Sequence, residues 1–204
     1  MARFRPDPPK NGGGSYLGFQ EVGILDFRDD SSKYDWADVY VVINLGLKTS
    51  KYPVDLKIAG SWNKDPNGNI EKSTLLNSIY YLLDSVGYEG GPNRQGEWED
   101  SEGKEVDLVL ELNRLYSHDN PLTDPKFDYY VYVYKQWNEN DKKAYTRVAT
   151  RIEKNTTQGK ADLESWIAFM KEKGYLKEWN ENVQSSDYPP LDSSSTSSTS
   201  ETSF

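Results

Sequence analysis

Residues 127–153 carry the side chains best suited to chemistry. Tyr130, Tyr132 and Tyr134 occupy every second position, and Tyr145, Arg147 and Arg151 follow the polar turn Asn138-Glu139-Asn140-Asp141. Side chains two apart on a strand share a face, so this spacing predicts a hairpin with two distinct sides. If Trp137 opposes Lys142, then Val133 lies opposite Thr146 and Val131 opposite Val148, with Ile152 further along the same core face. The other face then sets Tyr134 opposite Tyr145 and Tyr132 opposite Arg147. Flat phenol rings interleaved with guanidinium groups on a solvent face stack bases while pairing with phosphates. The same tyrosine ladder would also stabilise a hairpin by cross-strand contact, or pack beneath the C-terminal helix.

Charge distribution fits a polyanion partner better than the total does. The chain carries a formal net charge of −9, which by itself argues against nucleic acid. Residues 142–160 nevertheless hold Lys142, Lys143, Arg147, Arg151, Lys154 and Lys160 against Glu153 alone, whereas residues 84–112 hold nine acidic side chains against Arg94 and Lys104. A polyanion would be guided to one side of such a molecule and repelled from the other. Lys48, Lys51, Tyr52 and Lys57, with Arg28, Lys33, Tyr34 and Trp36 in the preceding turn, would extend the basic aromatic surface.

Other chemistries find little support. Cysteine is absent, which excludes disulfides, thiolate metal sites and Cys nucleophiles, and His118 is the only histidine. It sits in a polar stretch, Ser117-His118-Asp119-Asn120-Pro121, that reads as a loop. Phosphate-binding glycine loops and the serine nucleophile elbow are missing, so no enzymatic activity, cofactor or metal is expected. Asp65-Pro66-Asn67-Gly68-Asn69 has its Gly at the fourth place and Leu76 at the twelfth, which reads as a turn rather than a calcium loop. One enzyme reading competes: Asp38 followed by Asp55-Leu56-Lys57 has the spacing of magnesium-dependent nucleases, where clustered carboxylates hold the metal and Lys stabilises developing charge. A structural or carbohydrate-binding β-sandwich with exposed Trp and Tyr is a third.

These residues must be positioned by a mainly β body. Period-two patterns predict strands over 16–27, 38–48 and 54–62, and a turn at 65–69 ends the third. Ser73 or Thr74 caps a helix whose Leu75, Leu76, Ile79, Leu82, Leu83 and Val86 recur at helical spacing before Gly87. An acidic loop leads to a fourth strand over 106–112, then the hairpin of 127–137 and 145–153, and a last helix over 160–173. No internal repeat is evident.

The ends differ from this body. Residues 1–14 form a Pro- and Gly-rich basic arm, and residues 185–204 a Ser/Thr-rich acidic tail too poor in apolar surface to offset the entropy of ordering. Residues 15–184 are left as one domain. Hydrophobic residues make up 35% of the chain, with no run near the ~20 needed to span a membrane and no secretory signal. A cytoplasmic protein is expected, in the host cytoplasm if the chain is viral.

Three strands, a helix between the third and fourth, and two more strands is the order of an OB-fold barrel. With the Tyr/Arg face and a tail ending in Phe204, the chain resembles the phage-type OB-fold single-stranded DNA-binding proteins. The resemblance implies a five-stranded antiparallel barrel with a C-terminal helix added, and single-stranded DNA as the partner in replication or recombination. By position it makes Tyr130, Tyr132, Tyr134 and Tyr145 the stacking residues, and Arg147, Arg151, Lys142 and Lys143 the phosphate contacts. It further implies that the tail and Phe204 recruit replication or recombination proteins and compete with DNA for the groove. Self-association is compatible with it.

Overall fold

Alternating β-branched and aromatic residues build three long antiparallel strands, β1 (Gly18–Asp29), β2 (Val39–Leu47) and β3 (Val54–Gly60). In this computed structural model residues 16–116 and 126–179 are described. The basic arm, His118, the acidic tail and Phe204 lie outside the described residues.

Ser73 accepts a hydrogen bond from the Leu76 N–H (3.2 Å) and starts α1 (Thr74–Val86), which ends on Gly87 in the left-handed region (φ 74°). A two-residue ribbon, β4 (Gly91–Pro92) with β5 (Trp98–Glu99), crosses the acidic loop. The expected fourth strand at 106–112 is instead α2 (Leu108–Tyr116). Val106, Leu108, Leu110 and Leu112 do alternate, but Leu108 and Leu112 are also a helical pair; both are buried, while Leu110 is 64% exposed. Asp107 caps the helix through Leu110 N–H (3.0 Å). Asn113 on α2 donates to the Phe27 carbonyl (2.7 Å) and accepts from its N–H (2.9 Å). Its amide therefore takes the place of a neighbouring strand where β1, past Val22, has left its other partner.

The hairpin forms as β6 (Tyr129–Asn138) and β7 (Lys143–Val148), and β8 (Glu153–Lys154) returns to pair with the start of β6. Thr156 accepts from the Gly159 N–H (3.1 Å) to cap α3 (Thr157–Glu172). The sheet order is β3-β2-β1-β6-β7, with β8 beside β6. Among the described residues it is a six-stranded antiparallel sheet with three α-helices, so the closed five-stranded barrel is not what forms: β3 and β7 are both unpaired edges there. No second large sheet among the described residues packs on it, as a sandwich would require. Among the described residues no helix is long and apolar enough to cross a membrane.

The main core lies on the inner face, where Val22, Ile24, Ile43, Leu45, Leu56, Val131 and Val133 meet α1 and α2. A second, smaller core lies on the opposite face under α3. One local device recurs. The loops at 65–69, 93–97 and 100–104 each bond the first residue's N–H to the fifth carbonyl (2.8, 2.8 and 2.9 Å). In each, the first side chain also accepts from the third and fifth N–H groups. The fourth residue must adopt a positive φ, and Gly68, Gly96 and Gly103 supply it. Residues 65–69 are thus a turn, with the Asp65 carboxylate occupied by the bonds from Asn67 and Asn69.

Candidate nucleic-acid interface

The hairpin pairs two residues out of the expected register: Val133 opposes Val148, Tyr134 opposes Arg147, and Trp137 opposes Ala144. An even shift leaves every side chain on its expected face. The outer face therefore does carry Tyr130, Tyr132, Tyr134, Tyr145 and Arg147. It is not an open platform. Tyr132 is 6% exposed and packs with Leu163, Ile167 and Leu176, while Phe19, Tyr130, Tyr134, Trp166 and Met170 surround this cluster. The Phe19 ring lies 4.6 Å from that of Tyr132. The Tyr132 hydroxyl donates to Glu178 and accepts from Lys171 Nζ (2.7 Å). Burial, then the Glu178 bond, raises its phenol above the ordinary value. The expectation that Tyr132 stacks bases is corrected by α3, whose apolar stripe needs a partner and takes this ring.

Arg151 is also unavailable. Its guanidinium pairs with Glu153 (2.6 Å) and lies 4.3 Å from the centre of the Tyr81 ring and 5.9 Å from that of Trp166. Lys48 and Lys160 both hold Glu21, at 2.6 and 2.9 Å. These bonds, that to Lys48 foremost, hold the Glu21 carboxyl down to about 2. Tyr130 is half-buried, with the Lys160 ammonium 5.0 Å from its ring centre. In the exposed β6–β7 turn Lys142 pairs with Glu139 (2.9 Å), while Lys143 starts β7 in solvent.

What remains open is the gap between the two edge strands. A cleft of about 490 Å³ is lined by Asp55 and Lys57 of β3 and by Tyr134, Tyr145, Arg147 and Thr150. Lys57 and Arg147 are exposed, and no ion pair holds either among the described residues. Arg147 lies 5.8 Å from the centre of the Tyr145 ring, whose hydroxyl bonds to Asp141 (3.0 Å). Burial raises the Tyr134 phenol above its ordinary value. Four residues singled out in the sequence, Lys57, Tyr134, Tyr145 and Arg147, thus meet from three strands. Lys51 and Tyr52 (57% exposed) stand in the adjoining β2–β3 turn, the Lys51 ammonium 5.2 Å from the Tyr52 ring centre.

Outside the cleft the outer face continues along β2 and β3 through the pairs Asn44–Asp55, Val42–Lys57 and Tyr40–Ala59. Past Tyr40 lies Trp36, 57% exposed, within an aromatic group in which Tyr34 stacks on Tyr40 at 4.4 Å. Tyr40 was not singled out in the sequence, although its place between inward Val39 and Val41 marks it as outward. From Asp55 to Ala59 is about 13 Å at a strand rise near 3.3 Å per residue. The nuclease constellation does not assemble. Asp38 accepts from Trp62 N–H (2.8 Å) beside the Val39–Gly60 pair, about 17 Å of ladder from Asp55.

Neither a scan against protein-family models nor a search of curated proteins finds a match to this chain.

Proposed function

We propose that this protein binds single-stranded DNA without enzymatic activity, in replication or recombination, along the outer face of β2, β3 and β7. The observation that carries the reading is a pair of cations with no ion-pair partner among the described residues, Lys57 and Arg147, lining one cleft together with Tyr134 and Tyr145. Aromatic rings stack on any base, and free cations beside them neutralise phosphates. The outer ladder of β2 and β3 then leads a strand on towards Tyr40 and Trp36. The order β3-β2-β1-β6-β7 with α1 inserted after β3 supports an OB-like reading, since closing β7 onto β3 would complete that barrel. In that fold the second and third strands, with the first and fourth loops, form the binding surface, which here means Trp36 at one end and Lys142 and Lys143 at the other.

The test is anisotropy of a labelled dT oligonucleotide against the full chain at low and high salt. Affinity should fall steeply as salt rises, because phosphate contacts release counterions. No binding, or binding indifferent to salt, refutes the proposal. Recruitment of replication proteins by the tail belongs to the same reading. Removing residues 185–204 should tighten DNA binding if the tail competes for the surface, and equal affinity removes that role.

A further inference from the structure

We propose that the cleft between β3 and β7 is a subsite for one guanine base, read by the Asp55 carboxylate. The inference rests on the DNA-binding reading and adds a preference to a surface that otherwise tolerates any sequence. Its starting point is an anomaly of charge. In a cleft whose cations, Lys57 and Arg147, have no ion-pair partner among the described residues, a carboxylate repels phosphate, yet Asp55 lines the same cleft. It is also held in place: Oδ1 accepts from Asn44 Nδ2 at 2.8 Å, and Oδ2 lies 3.9 Å from Arg28 Nη2. A carboxylate has about four acceptor sites, so these contacts orient it and leave lone pairs for a ligand. Its side chain remains 35% exposed.

The cleft suits a base. At about 490 Å³ it falls in the range of small-ligand sites, roughly 300–1,000 Å³. Tyr134 and Tyr145 line it with their aromatic rings, and Arg147 and Lys57 line it with the cations that flanking phosphates need. The base is then selected by donor chemistry. A carboxylate accepts hydrogen bonds and donates none. Guanine presents two adjacent donors on its Watson–Crick edge, N1–H and N2–H, which match two carboxylate oxygens. Adenine and cytosine present one amino group beside an acceptor nitrogen, and thymine one N–H between two carbonyl oxygens, so each brings repulsion along with its single bond. A site that hydrogen-bonds a ligand's donors discriminates against ligands that lack them.

The experiment compares labelled dT10 with the same oligomer carrying one central dG, using the full chain at fixed salt. The dG oligomer should bind about tenfold tighter, the low end of the cost of one mismatched base. Asp55→Asn should abolish that difference, by weakening the dG oligomer and tightening dT10 through the lost repulsion. Equal affinities in the wild type, or a preference that survives Asp55→Asn, overturn the guanine subsite while leaving the DNA-binding reading standing. If neither oligomer binds, that broader reading fails, and titration of tyrosine fluorescence with GMP and separately with TMP decides the subsite. Quenching by GMP at concentrations where TMP has no effect supports it, and equal or absent quenching rejects it.

Discussion

Truncating Tyr132 to Ala separates the two roles open to the tyrosine row. The ring is 6% exposed, contacts Leu163, Ile167 and Leu176, and lies 4.6 Å from Phe19. Removing a buried aromatic ring to Ala costs about 3–5 kcal/mol through lost transfer energy and the cavity left behind. The hydroxyl adds little to this, because its partners Lys171 and Glu178 keep each other at 3.1 Å. The expected loss is therefore about 3–4 kcal/mol. With a urea slope near 2 kcal/mol/M, the unfolding midpoint should fall by roughly 1.5–2 M. Tyr145→Ala provides the contrast. That residue is 38% exposed, so stability should stay within about 0.5 kcal/mol, while DNA affinity should drop by the roughly 1–3 kcal/mol of one stacked base. Urea denaturation followed by tyrosine and tryptophan fluorescence, with anisotropy on the folded variants, reads both. An unchanged midpoint for Tyr132→Ala combined with lost DNA binding would overturn the docking of α3 and restore an open platform.

Three further outcomes follow from the same contacts. Replacing Lys57 and Arg147 together by Ala should lower the slope of log affinity against log salt by about 1.4, since each phosphate contact on a single strand contributes roughly 0.7; an unchanged slope places the phosphate contacts elsewhere. Glu21→Gln should cost about 1 kcal/mol at neutral pH, as partly exposed ion pairs do. Because Lys48 and Lys160 hold the folded carboxyl down to about 2 against an ordinary 4.5, that stability is present above about 4.5 and disappears as pH falls towards 2. Denaturation across pH 2–7 should show the variant and wild type converging at the acid end, and a constant gap would contradict the assignment. Gly159→Ala places a Cβ 2.2 Å from the Lys154 carbonyl oxygen. It should destabilise by about 1–3 kcal/mol through overpacking, although Ala is favoured over Gly by about 1 kcal/mol in an open helix; a raised melting temperature would show that α3 sits further from β8.

Local pattern alone determined which side chains share a face. The alternation of Tyr130, Tyr132 and Tyr134 with Val131 and Val133 survives a two-residue error in register, because a strand's side-chain period is two. The cap at Ser73 starts α1 where the sequence marks it, whereas α3 begins at Thr157 behind the Thr156 cap, three residues before the expected start at 160. Between 106 and 112, by contrast, the apolar residues satisfy both the strand and the helix period, and the choice was made by Asn113 reaching the backbone of Phe27, 86 positions away. The fate of the tyrosine face was equally nonlocal: burial depends on what packs above it, and α3 together with Leu176 and Glu178 closes over Tyr132 from the chain that follows. The cleft is the extreme case. Lys57 and Arg147 lie 90 positions apart and on opposite edges of the sheet, so only the order β3-β2-β1-β6-β7 and the approach of its two ends bring their charges to one site. Residue types and periodicity specify faces through short-range geometry, whereas exposure and convergence arise from long-range packing.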